Sequence, residues 1–152
     1  MSDHTENQLT SLEEVLAYRN PGVVGRYVKD HGGSREQAEE IFQEMLKWLY
    51  LCYRNASDFP EAQPVAMFTE LMKLDWMWHT FILFTRDYST FCTDHFGYFL
   101  HHSPEVEDGD APAPEKAEIR GRLERQFALV HDILGEETLR VWHDECRYAA
   151  ES

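Results

Sequence analysis

An acid and an imidazole stand four residues apart, at Asp75 and His79, inside the most apolar stretch of this 152-residue chain. Side chains at i and i+4 share one face of a helix. An unpaired buried carboxylate is costly, so the pair needs partners. One candidate partner is a metal ion. Carboxylate with neutral imidazole suits Zn or Fe, and more ligand-type side chains follow at Cys92, His95, His101 and His102. Asp75, His79, Cys92 and one of His101 or His102 would give a four-coordinate site of mixed donors. Asp75 would then be a ligand, or the acceptor that orients His79. The spacing matches no zinc finger and no His-Glu-x-x-His protease element. The competing reading is structural: Asp75 and His79 satisfy each other and a nearby backbone group or arginine, and pin helices together. A third chemistry is nucleophilic, through Cys92 or His79. Cys92 and His95 are three residues apart and could touch, yet the sequence supplies neither oxyanion hole nor cleft. Cys52 and Cys146 fall on apolar stripes and read as core residues. His4, His31, His131 and His143 read as surface or packing residues.

The elements that carry these residues are helical. Ser11 to Glu14 has capping-box spacing and opens a short helix that ends before Pro21. A second short helix over 23–31 stops at Gly32-Gly33. Ser34 and Gln37 form another capping box, starting a long helix that reaches about Asn55. Its stripe is Ala38, Ile41, Phe42, Met45, Leu49 and Cys52. Residues 55–64 read as a loop. Fourteen of the twenty residues 65–84 are hydrophobic, which predicts one central, largely buried helix. On it Thr69, Glu70, Lys73 and Thr80 form a narrow polar face, leaving Asp75 and His79 on the apolar side. Thr85 caps a helix over 86–96 that Gly97 ends. A helix over 115–134 follows, with Ile119, Leu123, Phe127 or Gln126, Val130 and Ile133 inward. Gly135 breaks it, and a helix resumes over 136–148. No run alternates with period two. The expectation is an all-α, single-domain helical bundle: a polar leader 1–10, a helical core 11–102, an acidic Pro-rich loop 103–114 and a C-terminal helical hairpin 115–150.

The charge narrows the partners. Acids outnumber Lys and Arg by 28 to 14, for a net charge of −14. That argues against nucleic acid, which needs a basic stripe, and against an anionic membrane surface. No membrane span and no signal peptide are expected. Three cysteines do not make a disulfide scaffold and fit a reducing, cytoplasmic compartment. Nine aromatics lie within 76–99, a cluster that reads as core or as a groove for a partner.

The stretch around Asp75 also carries a family pattern. Asp75-x-x-Trp78-His79 is followed by Tyr88, by Cys92 four residues later and by Gly97 five further on. Over roughly 65–102 this resembles the glycine-rich domain-containing protein-like family. The resemblance implies a stand-alone helical module rather than an activity. It groups Asp75, Trp78, His79, Tyr88 and Cys92 as one set. The function expected is a non-catalytic protein-binding or adaptor module with a buried Asp-His cluster. The alternative is a Zn- or Fe-binding protein or metalloenzyme using His79, Cys92 and His101 or His102.

Overall fold

A computed structural model describes residues 10–102 and 115–150. The described residues are all-α: seven α-helices and no strand. Helix α1 (Leu12–Leu16) begins with the reciprocal cap that the spacing predicts. The Ser11 hydroxyl accepts from the Glu14 N–H, and the Glu14 carboxylate accepts from the Ser11 N–H. Helix α2 (Pro21–His31) starts on Asn20, whose side chain accepts from Val23, with Pro21 in the first turn where its missing N–H is harmless. Gly32 and Gly33, at φ 83° and 85°, turn the chain out of it.

Helix α3 (Arg35–Asp58) opens on the Ser34–Gln37 capping box. The expected stripe of Ala38, Ile41, Phe42, Met45 and Leu49 is buried. So are Trp48, Leu51, Tyr53 and Asn55 on its other sides, because α1, α2, α4 and α6 all pack against it. The centre of the bundle is therefore shared between α3 and α4.

The single helix expected over 65–84 is a correction. The chain is irregular from 59 to 68, makes one tight 3-10 turn at Thr69–Leu71, and only then enters α4 (Met72–Leu83). Side chains satisfy the backbone there instead of a helical ladder. The Gln126 amide accepts from the Ala66 N–H and donates to the Ala66 carbonyl, both at 2.9 Å. Asn55 donates to the Gln63 carbonyl at 3.0 Å and accepts from Arg125 at 2.6 Å. Pro64 adds its own bias against helix in the residue before it. Within α4 itself only His79 and Leu83 are exposed, so this shorter helix is largely buried as expected. Thr80 is buried rather than solvated, its hydroxyl donating to the Trp76 carbonyl at 2.8 Å.

Helix α5 (Thr85–Phe96) starts after Phe84 without a side-chain cap, so Thr85 is its first residue and not its cap. Gly97, at φ 80°, closes it as expected by donating to the Cys92 and Thr93 carbonyls. Helix α6 (Lys116–Leu134) turns Gln126, Leu129 and Val130 inward and leaves Ile119 exposed. Gly135 (φ 103°) separates it from α7 (Glu136–Leu139). The helix expected over 136–148 is shorter: α7 widens into a π-turn at Arg140–Asp144 and stops. Trp142 of that turn is fully buried and donates to Glu44 of α3 at 2.8 Å. Beyond it, the Tyr148 hydroxyl donates to Glu40 and the Lys73 N–H donates to the Tyr148 carbonyl. The leader through residue 9 and the acidic stretch 103–114 lie outside the described residues. No described helix is long and apolar enough to cross a membrane.

Candidate functional site

Asp75 meets His102, not His79. His102 Nε2 lies 2.7 Å from Asp75 Oδ1. A carboxylate can only accept, so the contact is a hydrogen bond donated by Nε2 of the ring. The His102 ring packs on Trp78 with centroids 4.2 Å apart. The two side chains keep 20% and 26% of their surface, so the pair borders solvent and is not a core feature. His79 is exposed. The reason is which face of α4 meets the rest of the bundle. Its buried stripe runs through Leu71, Leu74, Met77, Trp78 and Phe81, and Asp75 and His79 flank that stripe.

Helix α5 fixes the segment that delivers His102. Trp78 Nε1 donates to the Tyr88 hydroxyl at 3.0 Å, and that hydroxyl donates to the Leu100 carbonyl at 2.5 Å. Leu100 is two residues before His102. Burial pushes the Tyr88 phenol far above its ordinary range, which keeps its proton available to Leu100. Cys92, one turn along, is fully buried beside Tyr88 and the Leu100 backbone, and burial raises its thiol too. So Asp75, Trp78, Tyr88, Cys92 and His102 form one connected cluster. His101 is exposed, its ring against Phe99 at 4.8 Å. His95 sits between the Tyr18 and Phe91 rings. Among the described residues no three His, Cys, Asp or Glu side chains are gathered closely enough to hold a metal ion. The proposed donor set of Asp75, His79, Cys92 and His101 or His102 does not converge among them.

Beside this cluster lies a cavity of about 750 Å³. Trp48, Cys52 and Asn55 of α3 line one wall. Phe59, Val65 and Met67 line another, from the irregular segment that had read as helix in part. Asp75, Trp78, Tyr98 and His102 complete it. The residues that pin this segment, Asn55 and Gln126, are each 3% exposed. A buried amide in an otherwise apolar stripe is the only sequence signal that pointed here.

Two buried side-chain atoms find no hydrogen-bond partner among the described residues: Trp48 Nε1 and His143 Nε2. His143 is a packing residue, as expected, but a polar one. Its Nδ1 meets Glu70 at 3.0 Å and its ring lies against Phe127. Trp48 is 1% exposed and also borders the cavity.

The cysteines can be ranked by access. Cys146 is exposed, Cys52 is half-buried and Cys92 is buried. Iodoacetamide at neutral pH is expected to modify Cys146 and to leave Cys92 intact, read by peptide mass spectrometry. Rapid loss of the Cys92 thiol in the folded protein would revive it as a nucleophile.

Burial also makes stability fall at alkaline pH. Desolvation pushes the Cys52 thiol from 9.0 to about 12 and the Tyr27 phenol from 10.0 to about 12. Both keep their protons in the folded state after the unfolded chain has lost its own. The unfolded state then binds fewer protons, so stability declines as pH rises. The Cys52 contribution is complete below pH 9 and drains away between 9 and 12, and that of Tyr27 between 10 and 12, by up to about 1.4 kcal/mol per pH unit for each group. Urea unfolding at pH 8 to 11 is the check, and Cys52→Ala should flatten the slope. A stability that stays level to pH 11 contradicts this assignment.

Comparison with known proteins corrects the resemblance drawn from Asp75 to Gly97. A family model matches residues 15–128, and it describes UCP032817-like proteins, not the glycine-rich domain-containing family. That description names no activity. No curated protein and no solved structure matches the chain. The matched span is well over half of the 152 residues, and the protein belongs to the UCP032817-like family.

Proposed function

We propose that this protein is a non-catalytic binding module that takes a small, largely apolar molecule in the cavity beside Asp75 and His102. The observation that carries the reading is the cavity itself. At about 750 Å³ it has the size of a small-molecule site. Its walls are mostly apolar, with a few polar groups held in fixed positions, the arrangement that orients a ligand. The Asp75–His102 pair marks one such position, and the Trp78–Tyr88–Leu100 relay holds it there. Burial holds the Cys52 thiol protonated, which favours binding over covalent chemistry.

One observation favours a second reading, in which the occupant is an apolar side chain of a protein partner. Phe59 and Tyr98 line the cavity while remaining 47% and 42% exposed, and Phe99 nearby is 40% exposed. Exposed aromatics at a rim suit a protein interface.

A single titration series tests the first reading. Naphthalene-sized fragments are added to the protein and followed by 1H–15N spectra and by tryptophan emission, since Trp48 and Trp78 line the site. Binding in the range of about 10 µM to 1 mM is expected for ligands of that size. Ala56→Trp, at an exposed position on the cavity's edge, should abolish it without lowering Tm. Fragment shifts that survive Ala56→Trp, or that map away from α3 and α4, contradict the reading.

A further inference from the structure

A second cavity, of about 720 Å³, shares no lining residue with the first and is built on a different plan. Its apolar side is a row of rings. Tyr27 and His31 of α2 stand 4.6 Å apart between centroids, and His31 lies parallel on Trp76 of α4, at 4.9 Å and 4°. Each ring is held by the next, so this wall is in place before anything binds. Its polar side brings cations together. Lys73 of α4 and Arg147, beyond the π-turn, both line the cavity. The Lys73 N–H donates to the Tyr148 carbonyl at 2.9 Å, which holds the two backbones side by side. Glu40 is the one carboxylate among the lining residues, and it already accepts from the Tyr148 hydroxyl at 2.6 Å. Arg147 pairs with Glu145 outside the cavity at 2.8 Å, with its side chain 48% exposed. A surface pair of that kind is worth little, so Arg147 can exchange it for another acceptor at small cost. Acids outnumber Lys and Arg by 28 to 14 in the chain, yet this wall holds two cations against one carboxylate.

We propose that this second cavity binds a planar aromatic monocarboxylate, its ring along the Tyr27–His31–Trp76 row and its carboxylate between Lys73 and Arg147. The site is separate from the cavity beside Asp75 and does not depend on the reading of that cavity. The volume suits a small organic molecule, and the rings offer its body an apolar surface. The charge selects the rest. Two like charges held at one cavity repel each other, and an anion placed between them relieves that repulsion. The carboxylate loses hydration on entry and regains it as charge-assisted bonds from the two cations. One excess positive charge matches one negative charge. A phosphate monoester carries close to two and would stand against Glu40. An organic cation would meet Lys73 and Arg147 with the wrong sign.

The test uses one ring with three charges: 2-naphthoate, 2-naphthyl phosphate and 2-naphthylmethylammonium, followed by 1H–15N spectra. Naphthoate is expected to bind the wild type tightest, in the range of about 10 µM to 1 mM. It should move the amide signals of Gly32 and Gly33, which line this cavity. Lys73→Gln and Arg147→Gln should each weaken it about tenfold, the loss of one charge-assisted bond. Ala56→Trp, which blocks the first cavity, should leave naphthoate unaffected while it abolishes naphthalene binding. The two sites therefore fail separately. Naphthoate affinity that survives both Lys73→Gln and Arg147→Gln, or that falls in Ala56→Trp, overturns the assignment of the site. Tightest binding by the phosphate or by the ammonium overturns the ligand class. Gly32 and Gly33 signals that none of the three probes moves overturn the proposal whole. Those wild-type shifts place the ligand even where a variant fails to fold.

Discussion

Trp142→Ala is expected to lower the free energy of unfolding by about 3–5 kcal/mol, the usual cost of truncating a fully buried tryptophan. Three observations set the size. The ring is fully buried and packs on Trp48 of α3. Its Nε1 donates to Glu44, a carboxylate only 8% exposed that also pairs with Lys47 at 2.8 Å. Without Trp142 that carboxylate keeps Lys47 but loses a charge-assisted bond in a poorly solvated place. The residue also stands in the π-turn that ends the C-terminal helical region, 98 positions from its partner. A cavity there loosens the anchoring that Tyr148 adds through Glu40. Domains of this size have total stabilities of about 5–15 kcal/mol, so the variant is left marginal. Trp142→Phe separates the terms: it retains most of the apolar contact and should lose only about 1–2 kcal/mol with the hydrogen bond. Urea unfolding by far-UV circular dichroism reads both. Near-equal losses in the two variants would mean that the bond to Glu44, not the packing, holds the C-terminal region.

The parts of this architecture that were legible in sequence are those decided by neighbours within one turn. Ser11 with Glu14 and Ser34 with Gln37 mark helix starts through reciprocal bonds three residues apart. Gly97 and Gly135 mark ends because each holds a positive φ, at 80° and 103°. The irregular segment before α4 was illegible for the opposite reason. Its apolar residues have helical density, and the groups that unwind it, Gln126 and Asn55, act from 60 and 8 positions away. That error then propagated. Thr69 and Glu70, which defined the polar face, precede α4, and the buried stripe of the helix runs through Leu74, Met77, Trp78 and Phe81, with Asp75 at the cavity wall and His79 outside. His102 stood among the candidates, but its pairing with Asp75 spans 27 residues and no local rule encodes it. Trp78, Tyr88 and Cys92 stand together because α4 and α5 meet there and the Leu100 carbonyl joins them, while His79 of the same expected set lies outside.

That junction gives the second large effect. Tyr88→Phe removes one oxygen and leaves two groups without partners, the Trp78 N–H and the Leu100 carbonyl. Each unsatisfied buried group costs about 1–3 kcal/mol, and two neighbours do not add in full, so a loss of about 2–4 kcal/mol is expected. The ring itself remains, with its edge-on contacts to Phe81 and Phe99, so the loss reports the hydroxyl and not a cavity. The consequence for the site is separable from the loss of stability. Leu100 no longer holds the segment that brings His102 to Asp75, and the 2.7 Å contact should open. In the wild type the imidazole 15N signals of His102 should report one tautomer, protonated on Nε2, because Asp75 accepts from that nitrogen. In Tyr88→Phe, measured at a temperature where the variant is still folded, they should move to a mixture of tautomers. Amide hydrogens at positions 100 to 102 should exchange faster while those of α3 keep their protection. Cys92→Ala is the control, because it removes a buried side chain next to Tyr88 but leaves the hydroxyl relay in place. A His102 signal unchanged in Tyr88→Phe would show that Asp75 and the Trp78 ring suffice to hold the imidazole. Tyr88 would then stabilise the fold without positioning the site.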